Sequence, residues 1–122
     1  MGTFLADTHA RGHSGSHVIE YEVAEKSGDY VVLRIRGELL GDLPAQRLHE
    51  VLEEHYVDDG VRIIRVDLSE VDRISLEGVA ILVDLWRESR RRNKTFQAEH
   101  AQDVVREKLA TTGVLRLLSR EE

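Results

Sequence analysis

Residues 67–86 read Asp67-Leu68-Ser69-Glu70-Val71-Asp72-Arg73-Ile74-Ser75-Leu76-Glu77-Gly78-Val79-Ala80-Ile81-Leu82-Val83-Asp84-Leu85-Trp86. The β-branched run Val61-Arg62-Ile63-Ile64-Arg65-Val66-Asp67-Leu68 predicts a strand ending near Asp67. Residues 69–74 are polar and predict a short loop, and an apolar helix is expected over 76–92. Ser75 sits where an N-cap hydroxyl accepts from a backbone N–H two or three residues on. Glu77 would lie at the positive end of that helix dipole. Val79, Leu82, Val83 and Trp86 form a stripe at i, i+3, i+4, i+7, with Ile81 and Leu85 outside it. Together these side chains cover about half the circumference, wider than the roughly 100° that docking on a sheet requires. Either a neighbouring helix of the same domain covers the excess, or the excess is a partner surface.

Outward from this stretch the pattern is regular. Val18-Ile19-Glu20-Tyr21-Glu22-Val23 alternates as a strand with one wet face, Ser27-Gly28-Asp29 is a turn, and residues 30–37 form a second strand, giving an antiparallel hairpin. Asp42 is placed to cap a helix whose first turn tolerates Pro44, with Ala45, Leu48, Val51, Leu52 and Tyr56 at helical spacing. That helix stops near Asp58-Asp59-Gly60. After the long helix come a short strand over 95–99, a helix over 102–111, a break at Gly113 and an apolar end over 114–118. A hairpin followed by alternating helices and strands predicts an α/β fold: a mixed sheet of four to five strands covered by about three or four helices. The connections between positions near 32, 64 and 97 are long enough for parallel crossovers.

The chain has 122 residues, enough for one domain, expected over 18–122. Residues 1–17 mix Gly, Ser, His and Thr and are expected to be a flexible arm, with no secretory signal visible. His9, His13 and His17 recur every four residues, but Gly12 and Gly15 argue against the helix that would align them, so no metal site is expected. There are no cysteines, which fits a reducing compartment. The longest apolar run, 79–83, is far too short to span a bilayer, so no membrane insertion is expected. With 17 basic against 23 acidic residues and a net charge of -6, nucleic-acid binding is disfavoured. The cations Arg87, Arg90, Arg91, Arg92 and Lys94 are read as complementing the negative end of the helix dipole.

Val66-Asp67-Leu68-Ser69-Glu70-Val71, then Ile74-Ser75-Leu76-Glu77-Gly78-Val79, then Val105, Leu109 and Thr112-Gly113-Val114-Leu115, with Gly37-Glu38-Leu39 after the second strand, follow one another in an order and spacing that resembles the STAS domain of bacterial anti-sigma factor antagonists. The resemblance covers about residues 19–118. It implies a cytoplasmic module without a cofactor that regulates sigma-factor-dependent transcription by binding an anti-sigma factor that is also a serine kinase. The implied partner surface comprises Ser69, Asp72, Arg73, Ser75, Leu76, Glu77, Gly78 and Ile81. In such antagonists the kinase phosphorylates a Ser or Thr at the start of the second helix, and the added charge breaks the interface.

Aligned on Gly78, this chain carries Ser75 where the family usually has Asp, and Leu76 at the phosphoacceptor position. Leucine has no hydroxyl, so the usual switch is not expected at residue 76. Three consequences stand open: a constitutive binder, phosphorylation at Ser75 as substitute, or a scaffold or sensor module within a larger assembly, with another STAS protein or a second copy as partner. A ligand- or nucleotide-binding role, as in STAS domains attached to transporters, is a further alternative. The terminal helix of many members is expected to be missing or very short.

Catalysis would draw on Asp67, Asp72 and Glu77 with His49, His55 or His100. No G-x-S-x-G, H-E-x-x-H or Gly-rich phosphate loop accompanies them, and His49 and His55 point different ways on one helix, so no enzyme is expected.

Overall fold

The computed structural model describes residues 19–40 and 47–118. The expectations for the N-terminal arm, its histidines, Val18, and the capping segment with Asp42, Pro44 and Ala45 lie outside the described residues. Strands β1 (Glu20–Ser27) and β2 (Tyr30–Leu39) are followed by helix α1 (Leu48–Tyr56), strand β3 (Ile63–Ile74), helix α2 (Leu76–Arg91), strand β4 (Thr95–Glu99) and helices α3 (Asp103–Thr111) and α4 (Leu115–Leu118). The sheet order is β1-β2-β3-β4. The first pair is antiparallel, and β2–β3 and β3–β4 are parallel. This is the α/β architecture with a mixed sheet and crossover helices that the element order predicts.

Alternation explains the layering. Val31, Leu33 and Ile35 of β2, Ile64, Val66 and Leu68 of β3, and Phe96 and Ala98 of β4 are buried in one core with Leu48, Leu52 and Tyr56 of α1, Ile81, Leu82 and Leu85 of α2, and Val105 and Leu109 of α3. Each large apolar side chain withdrawn from water contributes roughly 2 kcal/mol. The intervening residues carry charge: Arg34 bridges Glu22 and Asp67, Arg36 bridges Glu20 and Glu70, and Arg65 pairs with Glu99. The helices therefore cover one face of the sheet, while the other presents ion pairs across the strands.

Two expectations are corrected. Residues 69–74 do not form a loop: β3 continues to Ile74 and pairs with β2 as far as Leu39↔Ile74. Register shifts between Arg34 and Arg36 and between Gly37 and Glu38 each give β3 one residue more than β2. The inward face of α2 is also rotated from the expected stripe. Gly78, Ile81, Leu82, Leu85 and Ser89 are buried together with Val79, whereas Val83 and Trp86 are only half-buried. Ile81 and Leu85, placed outside the stripe, are thus core residues, and most of the excess width is covered within the domain.

Candidate functional site

The end of β2, the end of β3 and the start of α2 meet at one point. Ser75 is extended (φ -98°, ψ 176°), and its hydroxyl accepts from the Gly78 N–H at 3.1 Å, which is the expected N-cap. The Ser75 N–H donates to the Leu39 carbonyl at 3.1 Å, tying the helix entry to β2. Gly78 is buried against that same carbonyl; a Cβ there would run into the Leu39 oxygen and lie 3.0 Å from Ile74 Cγ1. Only glycine lets the first turn of α2 approach the strand this closely.

Leu76, the first residue of α2, is 61% exposed. Around it Asp72, Arg73, Glu77 and Ala80 are exposed, and Ser75 is half-buried. Arg73 Nη1 reaches Glu38 at 3.6 Å. Ser69 is exposed, and its carbonyl accepts from Gln102 Nε2 at 2.9 Å, joining β3 to the start of α3. Of the residues expected at a partner surface, Ser69, Asp72, Arg73, Leu76 and Glu77 thus present surface, Ser75 partly so. Gly78 and Ile81, expected at the same surface, are buried: Gly78 sets a packing distance and Ile81 belongs to the core. Sequence reasoning missed Glu38, Gln102 and Ala80. Only Ala80 carried a signal, lying four residues after Leu76 on the same helical face.

Asp67 is 8% exposed and lies within β3. Its Oδ1 accepts from the Ser69 N–H at 2.9 Å, and its Oδ2 accepts from Arg34 Nε at 3.2 Å. Burial acts to raise its pKa, but the Ser69 and Arg34 hydrogen bonds outweigh burial and hold the carboxyl below its ordinary value. Asp67 is thus occupied in ordering the strand. His55 is buried on α1 beside Glu54 at 3.8 Å, and burial lowers its pKa. His100 is exposed beside Glu99. No hydrogen bond or ion pair among the described residues joins any histidine to Asp67, Asp72 or Glu77. Among them too, no three His, Cys, Asp or Glu side chains converge as metal ligands, and no helix is long and apolar enough to cross a membrane.

The fold is shared with solved structures. The unphosphorylated anti-sigma factor antagonist SpoIIAA superposes with a TM-score of 0.67 at 17% identity, over 84% of this chain and 87% of that one. The phosphorylated form of SpoIIAA, a Bacillus cell fate determinant, gives 0.62 at 16% identity, over 84% and 90%. The murine anion transporter Slc26a9 gives 0.65 at 11% identity, over 94% of this chain and 21% of the transporter. No curated protein matches the sequence significantly. The family model described as "Mlab, STAS domain" matches residues 23–119, which takes in most of β1, the whole of β2, β3 and β4, and the helix entry at Ser75. On that match the chain belongs to the STAS domain family.

Proposed function

We propose that the domain is an anti-sigma factor antagonist-like module that binds a kinase-type anti-sigma factor through the end of β3 and the first turn of α2, and that phosphorylation at residue 76 does not dismiss it. The exposure of Leu76 carries this reading. Leu76 is 61% exposed at the mouth of the helix, where an apolar side chain is open to the centre of a partner contact. Exposed Asp72, Arg73 and Glu77 supply the polar rim of such a contact. Support comes also from the fold shared with an anti-sigma factor antagonist solved in both phosphorylated and unphosphorylated forms.

A second reading draws on the same residue. A surface leucine without a hydroxyl also suits a permanent contact within a larger assembly, with the domain as a fixed scaffold subunit. Pull-down against a kinase-type anti-sigma factor encoded beside this chain separates the two. Leu76→Asp should abolish capture while circular dichroism and thermal midpoint stay within error. Wild type should stay bound in ATP, and Leu76→Ser should be phosphorylated and released. Undiminished capture by Leu76→Asp would place the contact elsewhere. Failure of the wild type to bind any such kinase would favour the scaffold. Mass spectrometry of the ATP-treated wild type reports whether Ser75 or Ser69 accepts phosphate instead.

A further inference from the structure

The far end of α2 carries a second surface. Ten residues of helix, about 15 Å along the axis, separate Leu76 from Trp86. There Trp86, Arg90, Thr95, Phe96, Arg116 and Leu117 are among the residues that line a depression of about 400 Å³. Its floor is apolar: Phe96 is buried, Trp86 is half-buried, and Leu117 is 38% exposed at the rim.

The charge around it is one-sided. Arg87 pairs with Asp84, Arg91 with Glu88, and Arg92 with both Glu88 and Glu53. Arg90 and Arg116 have no carboxylate partner among the described residues, whereas Lys94 also acts on the Asp58 carboxyl. Arg90 instead lies over the Trp86 ring at 5.1 Å, and Lys94 Nζ donates to the carbonyls of Asp58 and Val61. Arg90 and Arg116 both line the depression beside Lys94, and no acidic residue does. In a chain with net charge -6 this is a local reversal of sign.

β4 also has a sheet neighbour on one side only, β3, so no described strand pairs its outer backbone edge, and its residues Thr95 and Phe96 belong to the depression. We infer that this surface is a docking site for an extended acidic segment of a partner protein. Its carboxylates would meet Arg90 and Arg116, an aliphatic side chain would lie against Trp86 and Leu117, and its backbone would add to the free edge of β4. A small anion would use the cations and leave the edge unpaired. A nucleic acid would need more phosphate contacts than two cations supply.

Trp86 is the only tryptophan, so its emission reports occupancy directly. The probe is a synthetic peptide of alternating glutamate and valine, with an alternating lysine–valine peptide, free glutamate and inorganic phosphate as controls. The acidic peptide should shift Trp86 emission saturably, slow amide exchange along β4 and weaken with added salt, while the controls leave emission unchanged. Arg90→Glu with Arg116→Glu, both exposed positions, should weaken the peptide at least tenfold, and Leu76→Asp should not. No emission change, an equal response to phosphate or glutamate, unslowed β4 exchange, or unaltered binding by the charge-reversed variant would each overturn the assignment. An emission shift produced without peptide by Glu121→Gln with Glu122→Gln would assign the depression to the chain's own terminus instead. Because Leu76→Asp is the control, loss of the anti-sigma contact and loss of this site are read separately.

Discussion

Ser75, Leu76 and Gly78 lie within four positions and carry different loads. Ser75 satisfies a backbone donor that the helix would otherwise leave open, so Ser75→Ala should cost about 1 kcal/mol and lower the thermal midpoint by about 5 °C. Gly78 tolerates no Cβ because the obstacle is backbone, the Leu39 carbonyl, which cannot rotate away. Gly78→Ala should therefore cost about 3 kcal/mol, three times the loss of the cap, in urea unfolding followed by circular dichroism. A smaller cost than that of Ser75→Ala would show that β2 and α2 are free to separate. For the same reason Gly78 is no clean probe of binding, whereas Leu76 is. The cap was readable from Ser75 and the apolar run after it. The role of Gly78 was not, since its neighbour comes from the far end of β2 and no local pattern announces it.

The largest misreading at the level of elements is the second half of β3, and it has a physical cause. Leu68, Val71 and Ile74 are the buried residues there, three apart instead of two. Each register shift against β2 inserts one residue, so the alternation that marks a strand is lost while the pairing continues. A polar segment with that spacing reads as a loop. The helix α2 was legible in extent, Leu76–Arg91 against an expected 76–92, but not in orientation, since residues apolar on three sides leave the inward direction undetermined. Asp67 sits just before the first shift and holds the Ser69 N–H and Arg34 together. Asp67→Ala should destabilise the domain by about 2 kcal/mol and speed exchange of the Ser69 amide. Asp67→Asn, which keeps an oxygen for that amide, should lose less. Equal losses would mean that the charge on Arg34, not the turn of the strand, is what Asp67 serves.

Across the whole molecule the order of elements was legible because strands and helices alternate with clear periods and lengths that allow parallel crossovers. What lay beyond reading was where the sheet's charged face and the buried imidazole of His55 would fall. The cross-strand ion pairs are partly exposed, and each contributes at most about 1 kcal/mol, so the core dominates stability. His55 breaks the uniformity of that core. It faces Glu54 on its own helix, with Lys26 of the hairpin and Asp58 of the following turn nearby, and burial outweighs both carboxylates to lower its pKa. The unfolded chain, with an ordinary imidazole near pH 6.5, then takes up a proton before the folded one does. Stability should accordingly be complete above about pH 6.5 and decline as pH falls through the folded-state value, because the unfolded state binds more protons in that window. His55→Leu removes the titration and leaves His49 and His100 in place. Urea midpoints measured from pH 8 to pH 5 should fall for wild type and stay flatter for the variant. The carboxylates held low by hydrogen bonds, Asp58 and Asp67, act only below about pH 4 and do not blur the comparison. A slope unchanged by His55→Leu would mean that the imidazole is hydrated in solution and that α1 opens away from the sheet.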